Sequence, residues 1–229
     1  MHILGLVLIL LLVAAIFGPQ LWVRHVLQRH GADRADFPGT GGELAEHLIA
    51  EHGLDGVKVE TTEKGDHYDP QTRTVCLSRE TRDGKSLTAV AVAAHEVGHA
   101  LQHARDEKGL KLRQSLVGVA AATDTVASAF FIAAPVLTVI VRSPLALLAM
   151  AGIGIALLAV RILVHLVTLP VEFDASFGKA LPILKSGNYL RDRDLASARG
   201  VLRAAALTYV AAALASLLDL ARWIRILRW

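Results

Sequence analysis

Apolar runs too long for an ordinary water-soluble domain decide most of what this chain can become. Ile3 to Val23 contains no charged residue, and at 1.5 Å per helical residue it is long enough to cross a hydrocarbon core. Ser115 to Val141 and Leu145 to Leu169 are again long and apolar, the first interrupted by Asp124 and Pro135 and the second carrying Arg161 and His165, and only the turn Arg142-Ser143-Pro144 separates them. With 53 % hydrophobic residues, only 5 % aromatics and a mean hydropathy of +0.45, a membrane protein is the expectation rather than a single soluble domain.

Segments 3–23, 115–141 and 145–169 are therefore expected as transmembrane helices. A fourth, 201–220, has an uncharged core, Ala204 to Leu218, that is short for a crossing. The first run has no Lys or Arg before it and no A-x-A site after it, which favours an uncleaved anchor over a signal peptide. The tail, 221–229, interleaves Arg222, Arg225 and Arg228 with Trp223, Ile226, Leu227 and Trp229, an interfacial pattern. Basic flanks, from Arg24, Arg29 and Arg34 through Lys108, Lys111 and Arg113 to Lys179, Lys185 and Arg191, collect on one side of the spans. That side should be cytoplasmic, placing the charged lobe inside the cell. A net charge of +3, spread along the chain, excludes nucleic acid as the expected partner. The lone Cys76 excludes an internal disulfide and reads as a small buried hydrophobe in a strand.

Residues 24–114 differ in kind, being charged and punctuated by glycines. GGELAEHLIAEHG reads as a short amphipathic helix closed by Gly53. Gly56–Glu60 and Thr72–Leu77 alternate like strands around the turn signals Lys64-Gly65 and Asp69-Pro70. A helix over 86–104, capped by Ser86, follows. It contains HEVGH, so His95 and His99, at i and i+4, share a face with Glu96 beside them. Two neutral imidazoles, a third protein ligand and an adjacent carboxylate are what a catalytic zinc ion requires. Glu96 is then the expected general base.

Candidates for the third ligand are His103, His165, Glu172, Asp174, His67, Asp66 and Asp69. His103 lies about 80° around the helix from His95 and cannot readily reach the same ion. Glu172 stands out because it follows an apolar helix on the lobe side, within the polar segment 170–200, and His₂Glu is an established catalytic set. Arg161 and His165 share a stripe with Glu172, although Pro170 must kink or end that helix.

Four stretches taken together, DHYDPQTRTVCLS (66–78), AVAVAAHEVGHALQHA (89–104), LVTLPVEFDAS (166–176) and VLRAAALTYVAAAL (201–214), resemble the YugP-type neutral zinc metallopeptidases of bacterial membranes. The resemblance implies Zn²⁺ held by His95 and His99, with Glu96 as general base. The site is also similar to that of HtpX-type membrane proteases, which implies Glu172 of EFDAS as the third ligand. Where that wider group carries an aspartate four residues after the ligand this chain has Ser176, and Asp174 or Asp124 is the candidate to orient a histidine instead.

The expected fold class is thus mainly α: three to four transmembrane helices with a small α+β, zincin-like lobe carrying the HExxH helix. The expected function is a membrane zinc endopeptidase acting on peptide or protein substrates, membrane proteins included, in contact with a lipid bilayer. Tyr209, Arg203, His165 or Arg161 is the candidate oxyanion donor. His67 and Tyr68 are the candidate substrate contacts, beside a strand edge with which an extended peptide can pair. The rival reading is a non-catalytic membrane scaffold or adaptor with a structural metal site, for which Glu96 would have no use.

Overall fold

The computed structural model describes residues 2–141 and 143–226, with side chains described continuously over 17–116 and 163–208. Helices dominate: α1 (His2–Arg29), α2 (Gly41–Glu51), α3 (Arg79–Arg82), α4 (Leu87–Ala104), α5 (Lys108–Val141), α6 (Pro144–Phe173), α7 (Leu181–Ser186) and α8 (Asp192–Ile226). A π-helical segment, Asp174–Ala180, joins α6 to α7. Strands β1 (Lys58–Thr61), β2 (His67–Asp69) and β3 (Thr74–Leu77) form one sheet in the order β1-β3-β2. β1 runs parallel to β3, and β2 antiparallel to it. The chain divides into two compact units. One takes in Leu21–Lys111 with Leu169–Thr208, and the other Leu112–Thr168 with the adjoining parts of α1 and α8.

The apolar runs do fold as helices, but the expected fold class is corrected. Among the described residues, no helix is long and apolar enough to cross a membrane. The architecture is mostly helical with a small three-stranded sheet, not a set of transmembrane helices carrying a lobe. The physical reason is that apolar composition favours helix and aversion to water, and neither by itself makes a crossing, which needs an unbroken apolar length.

Within the first unit, local chemistry explains the element boundaries. Thr40 and Glu43 form a reciprocal capping box that starts α2. The Ser86 hydroxyl accepts from the Ala89 N–H to start α4. The hairpin between β2 and β3 turns on Asp69, whose carboxylate accepts from the Gln71 N–H and the Thr72 hydroxyl. Asp66 accepts from the Ser78 N–H and the Thr81 hydroxyl, pinning the entry to β2 onto α3. A third strand therefore forms where only turn signals were read.

α4 is the core of this unit, buried at Leu87 and throughout Ala89–Gln102. Its alanines and glycine let neighbours approach closely, and α2 and the π-helical segment both pack on it. Leu48, Val75, Leu77, Leu184 and Leu202 fill the space around it. One close backbone approach is at Gly98, where an added Cβ would lie 2.8 Å from the Ala175 carbonyl oxygen.

Gly98→Ala tests this contact. Alanine gains about 1 kcal/mol in helix propensity, but overpacking against backbone typically costs about 1–3 kcal/mol. A net loss of stability is expected, read as a lower urea midpoint at unchanged slope; a variant at least as stable as the parent would show that the two backbones do not meet here.

A second tie links the segment before α2 to the start of α8. The Arg34 guanidinium donates to Asp36 and Asp194 at 2.7–3.0 Å. Its hydrogen bonds hold both carboxyl groups below the ordinary carboxylate range. Depressed carboxylates stabilise the fold above the unfolded value of 3.8 and lose that contribution as pH falls through their folded values. The gap in melting temperature between wild type and Arg34→Met should therefore be open at neutral pH and narrow as pH falls below 3.8; a gap of constant size across that range would remove these pairs as its cause.

Candidate metal centre

Helical periodicity brings the two histidines of HEVGH together, and the fold brings a carboxylate to them from 77 residues away. On α4 the imidazoles of His95 and His99 lie edge to face, with centroids 4.7 Å apart. Glu172, in the last turn of α6, places its Oε2 at 3.2 Å from His95 Nε2 and 3.4 Å from His99 Nε2. All three side chains are buried, Glu172 to 1 % exposure. The site lies wholly within the unit formed by Leu21–Lys111 and Leu169–Thr208.

Burying a carboxylate between two imidazoles is costly unless a cation or strong hydrogen bonds compensate it. Two nitrogen donors and one carboxylate, with ligating atoms within 4.8 Å of one another, can hold a metal ion. Among the described residues this is the one His/Cys/Asp/Glu group so arranged. His₂Glu is a zinc donor set of catalytic type, since it leaves a coordination position for water. Glu96, the residue after the first histidine, is also buried on α4.

The other nitrogen of each ring is engaged as well. His95 Nδ1 lies 3.0 Å from Ser176 Oγ, and His99 Nδ1 lies 2.9 Å from Gln102 Oε1. The Gln102 amide donates to the Val171 carbonyl and to Asp174, and Lys179 donates to Asp174 and pairs with Glu107. Burial acts to raise the Asp174 pKa, but the hydrogen bonds from Lys179 and Gln102 outweigh it and hold the carboxyl below its usual range. Burial likewise acts to lower Lys179, and its bonds to Asp174 and Glu107 outweigh that and raise it.

Asp174 thus reaches a histidine only through Gln102. Ser176 stands against His95 directly. Of the remaining candidates, Asp66 and Asp69 serve the turns described above, and His103 Nδ1 bonds the Tyr68 hydroxyl at 2.8 Å. Tyr68 is buried in β2, and burial pushes its phenol pKa up. His67 Nδ1 contacts the Gly65 carbonyl oxygen at 2.8 Å. Arg203 is exposed on α8, and His165 belongs to α6 in the other unit. The side chains of Asp124, Arg161 and Tyr209 lie outside the described residues. Cys76 is half-buried in β3, where burial pushes its thiol up. Sequence reasoning missed Gln102, Lys179 and the role of Gly98. A polar residue three positions after His99 on an otherwise apolar helix was the available signal for Gln102.

The family model described as "Putative neutral zinc metallopeptidase" matches residues 5–228. The "Putative membrane protease YugP" of Bacillus subtilis (strain 168) is 38 % identical over 212 residues, covering 92 % of this chain and 90 % of that protein. No solved structure matches the chain. Zinc is thus the metal supported both by the kinship and by the buried His-His-Glu donors. A match running almost end to end, across the residues that converge on Glu172, makes this chain a member of the neutral zinc metallopeptidase family.

Proposed function

We propose that the chain is a zinc endopeptidase in which His95, His99 and Glu172 hold the metal and Glu96 is the general base. The observation that carries this reading is the convergence of two Nε2 atoms and one carboxylate oxygen in a buried site, with Glu96 next to a ligand on the same helix. A bound zinc ion supplies Lewis-acid chemistry, lowering the pKa of water towards neutrality and polarising a carbonyl group. Glu96 accepts the proton of the attacking water and delivers it to the departing amine. The aliphatic surroundings of α4 exclude bulk water and strengthen these charge interactions. The substrate in this proposal is an extended peptide that pairs with the edge of β2, a strand packed against α4, with His67 and Tyr68 contacting it.

The relative's name gives that protein a membrane address. We extend that address to this chain; recovery in the membrane fraction of expressing cells supports it, and recovery wholly in the supernatant removes it.

Cleavage of a broad peptide library by full-length protein of measured zinc content tests the chemistry. Glu96→Gln should lower cleavage by about 10²–10⁴-fold with zinc stoichiometry unchanged, and Glu172→Ala should lower zinc content. Zinc-loaded wild type that cleaves nothing, or a Glu96→Gln variant as active as wild type, would return the site to a structural role.

A further inference from the structure

The hydrogen bonds behind the two histidines determine which nitrogen of each ring carries the proton. Ser176 Oγ has one hydrogen, and it is committed to the Leu202 carbonyl oxygen at 3.1 Å, a group that can only accept. Towards His95 Nδ1, at 3.0 Å, Ser176 Oγ is therefore an acceptor. His95 Nδ1 must donate. Gln102 gives the same result by a different route. Both hydrogens of its amide are used, one on the Val171 carbonyl oxygen at 3.0 Å and one on Asp174 Oδ2 at 2.8 Å. Turning the amide over would set its oxygen against a carbonyl and a carboxylate, so Oε1 must face His99 Nδ1, at 2.9 Å. His99 Nδ1 must donate too.

We propose that Ser176 and Gln102 are positioning residues that hold His95 and His99 in the Nδ1–H form, so that both rings present Nε2 to the metal. This rests on the ligand set proposed above. The two Nε2 atoms are those turned towards Glu172 Oε2, where a bound cation takes the place of the hydrogen that the 3.2 Å His95 Nε2–Glu172 Oε2 contact otherwise requires. Neither lock titrates, because both acceptors are neutral oxygens. Each is anchored in backbone, Ser176 on Leu202 of α8 and Gln102 on Val171 of α6. Lys179 in turn fixes Asp174, the second acceptor of the Gln102 amide. Outer hydrogen bonds of this kind orient metal-binding imidazoles and raise their basicity. Here a hydroxyl and an amide do so where a carboxylate is the commoner partner.

The test is imidazole ¹H–¹⁵N spectroscopy of the full chain, metal-free and zinc-loaded, with zinc affinity measured by chelator competition. In wild type, both rings should carry a slowly exchanging proton on Nδ1. Ser176→Ala should lose that protection at His95 alone and weaken zinc binding by about ten- to a hundredfold; Gln102→Ala should do the same at His99 alone. A wild-type His95 or His99 with Nδ1 bare and the proton on Nε2 overturns the proposal. So does a Ser176→Ala variant with an intact His95 signal and unchanged zinc affinity. If either variant fails to fold, the wild-type spectra decide. Loss of the peptidase reading is separately visible: zinc-loaded protein that cleaves no peptide removes that activity while leaving the protonation result standing.

Discussion

Burial of the Glu172 carboxylate against two imidazoles is the constraint on which the organisation of the site depends. A charge removed from water must be met by opposite charge or by strong hydrogen bonds. The surrounding elements are arranged for that. α4 supplies both rings from one face and is buried along nearly its whole length, so its position is set by packing on several sides. The three side chains are consequently positioned by packing, and a preorganised group loses less entropy on binding.

The π-helical segment after α6 is the second requirement. π-turns are frequent at functional sites because they re-aim side chains within an otherwise regular helix. Between Glu172 and Ser176, three side chains find three different partners: Glu172 the Nε2 pair, Asp174 the Gln102 amide, and Ser176 the Nδ1 of His95. Gly98 makes room for this, because the backbone of Ala175 lies where any larger residue on α4 would project. The glycine of HEVGH is thus a packing requirement of the contact between α4 and the π-helical segment, not a relaxed position in the motif.

Charge is managed outward from the metal site in steps. Asp174 is balanced by Lys179, and Lys179 by Glu107 at 3.1 Å. Lys179 is itself buried, and the two acids together compensate its charge, so only the loss of both would leave the cation unpaired in the interior. On the Nδ1 side of the rings the partners are neutral, Ser176 for His95 and Gln102 for His99, with Asp174 one residue further out behind Gln102.

The features legible in the sequence were those set by local periodicity. A helix repeats every 3.6 residues, so HEVGH alone places His95, His99 and Glu96, and capping chemistry alone places Ser86 before α4. The stretch around Glu172 was also readable, through its order among other motifs. The rest depended on long-range contacts. His67–Asp69 becomes a strand because β3 offers it hydrogen-bonding partners, not because its own residues alternate. Asp174 was expected to orient a histidine and instead reaches one through Gln102, since the π-turn directs it to the amide. Ser176, the apparent defect in the pattern, contacts His95 directly once α8 brings the Leu202 carbonyl to it. The fate of the apolar runs was misread because composition dictates helix and aversion to water, and neither by itself makes a membrane crossing. The sequence by itself determined which side chains could ligate; tertiary structure decided which do converge, because convergence across 77 residues is a property of packing.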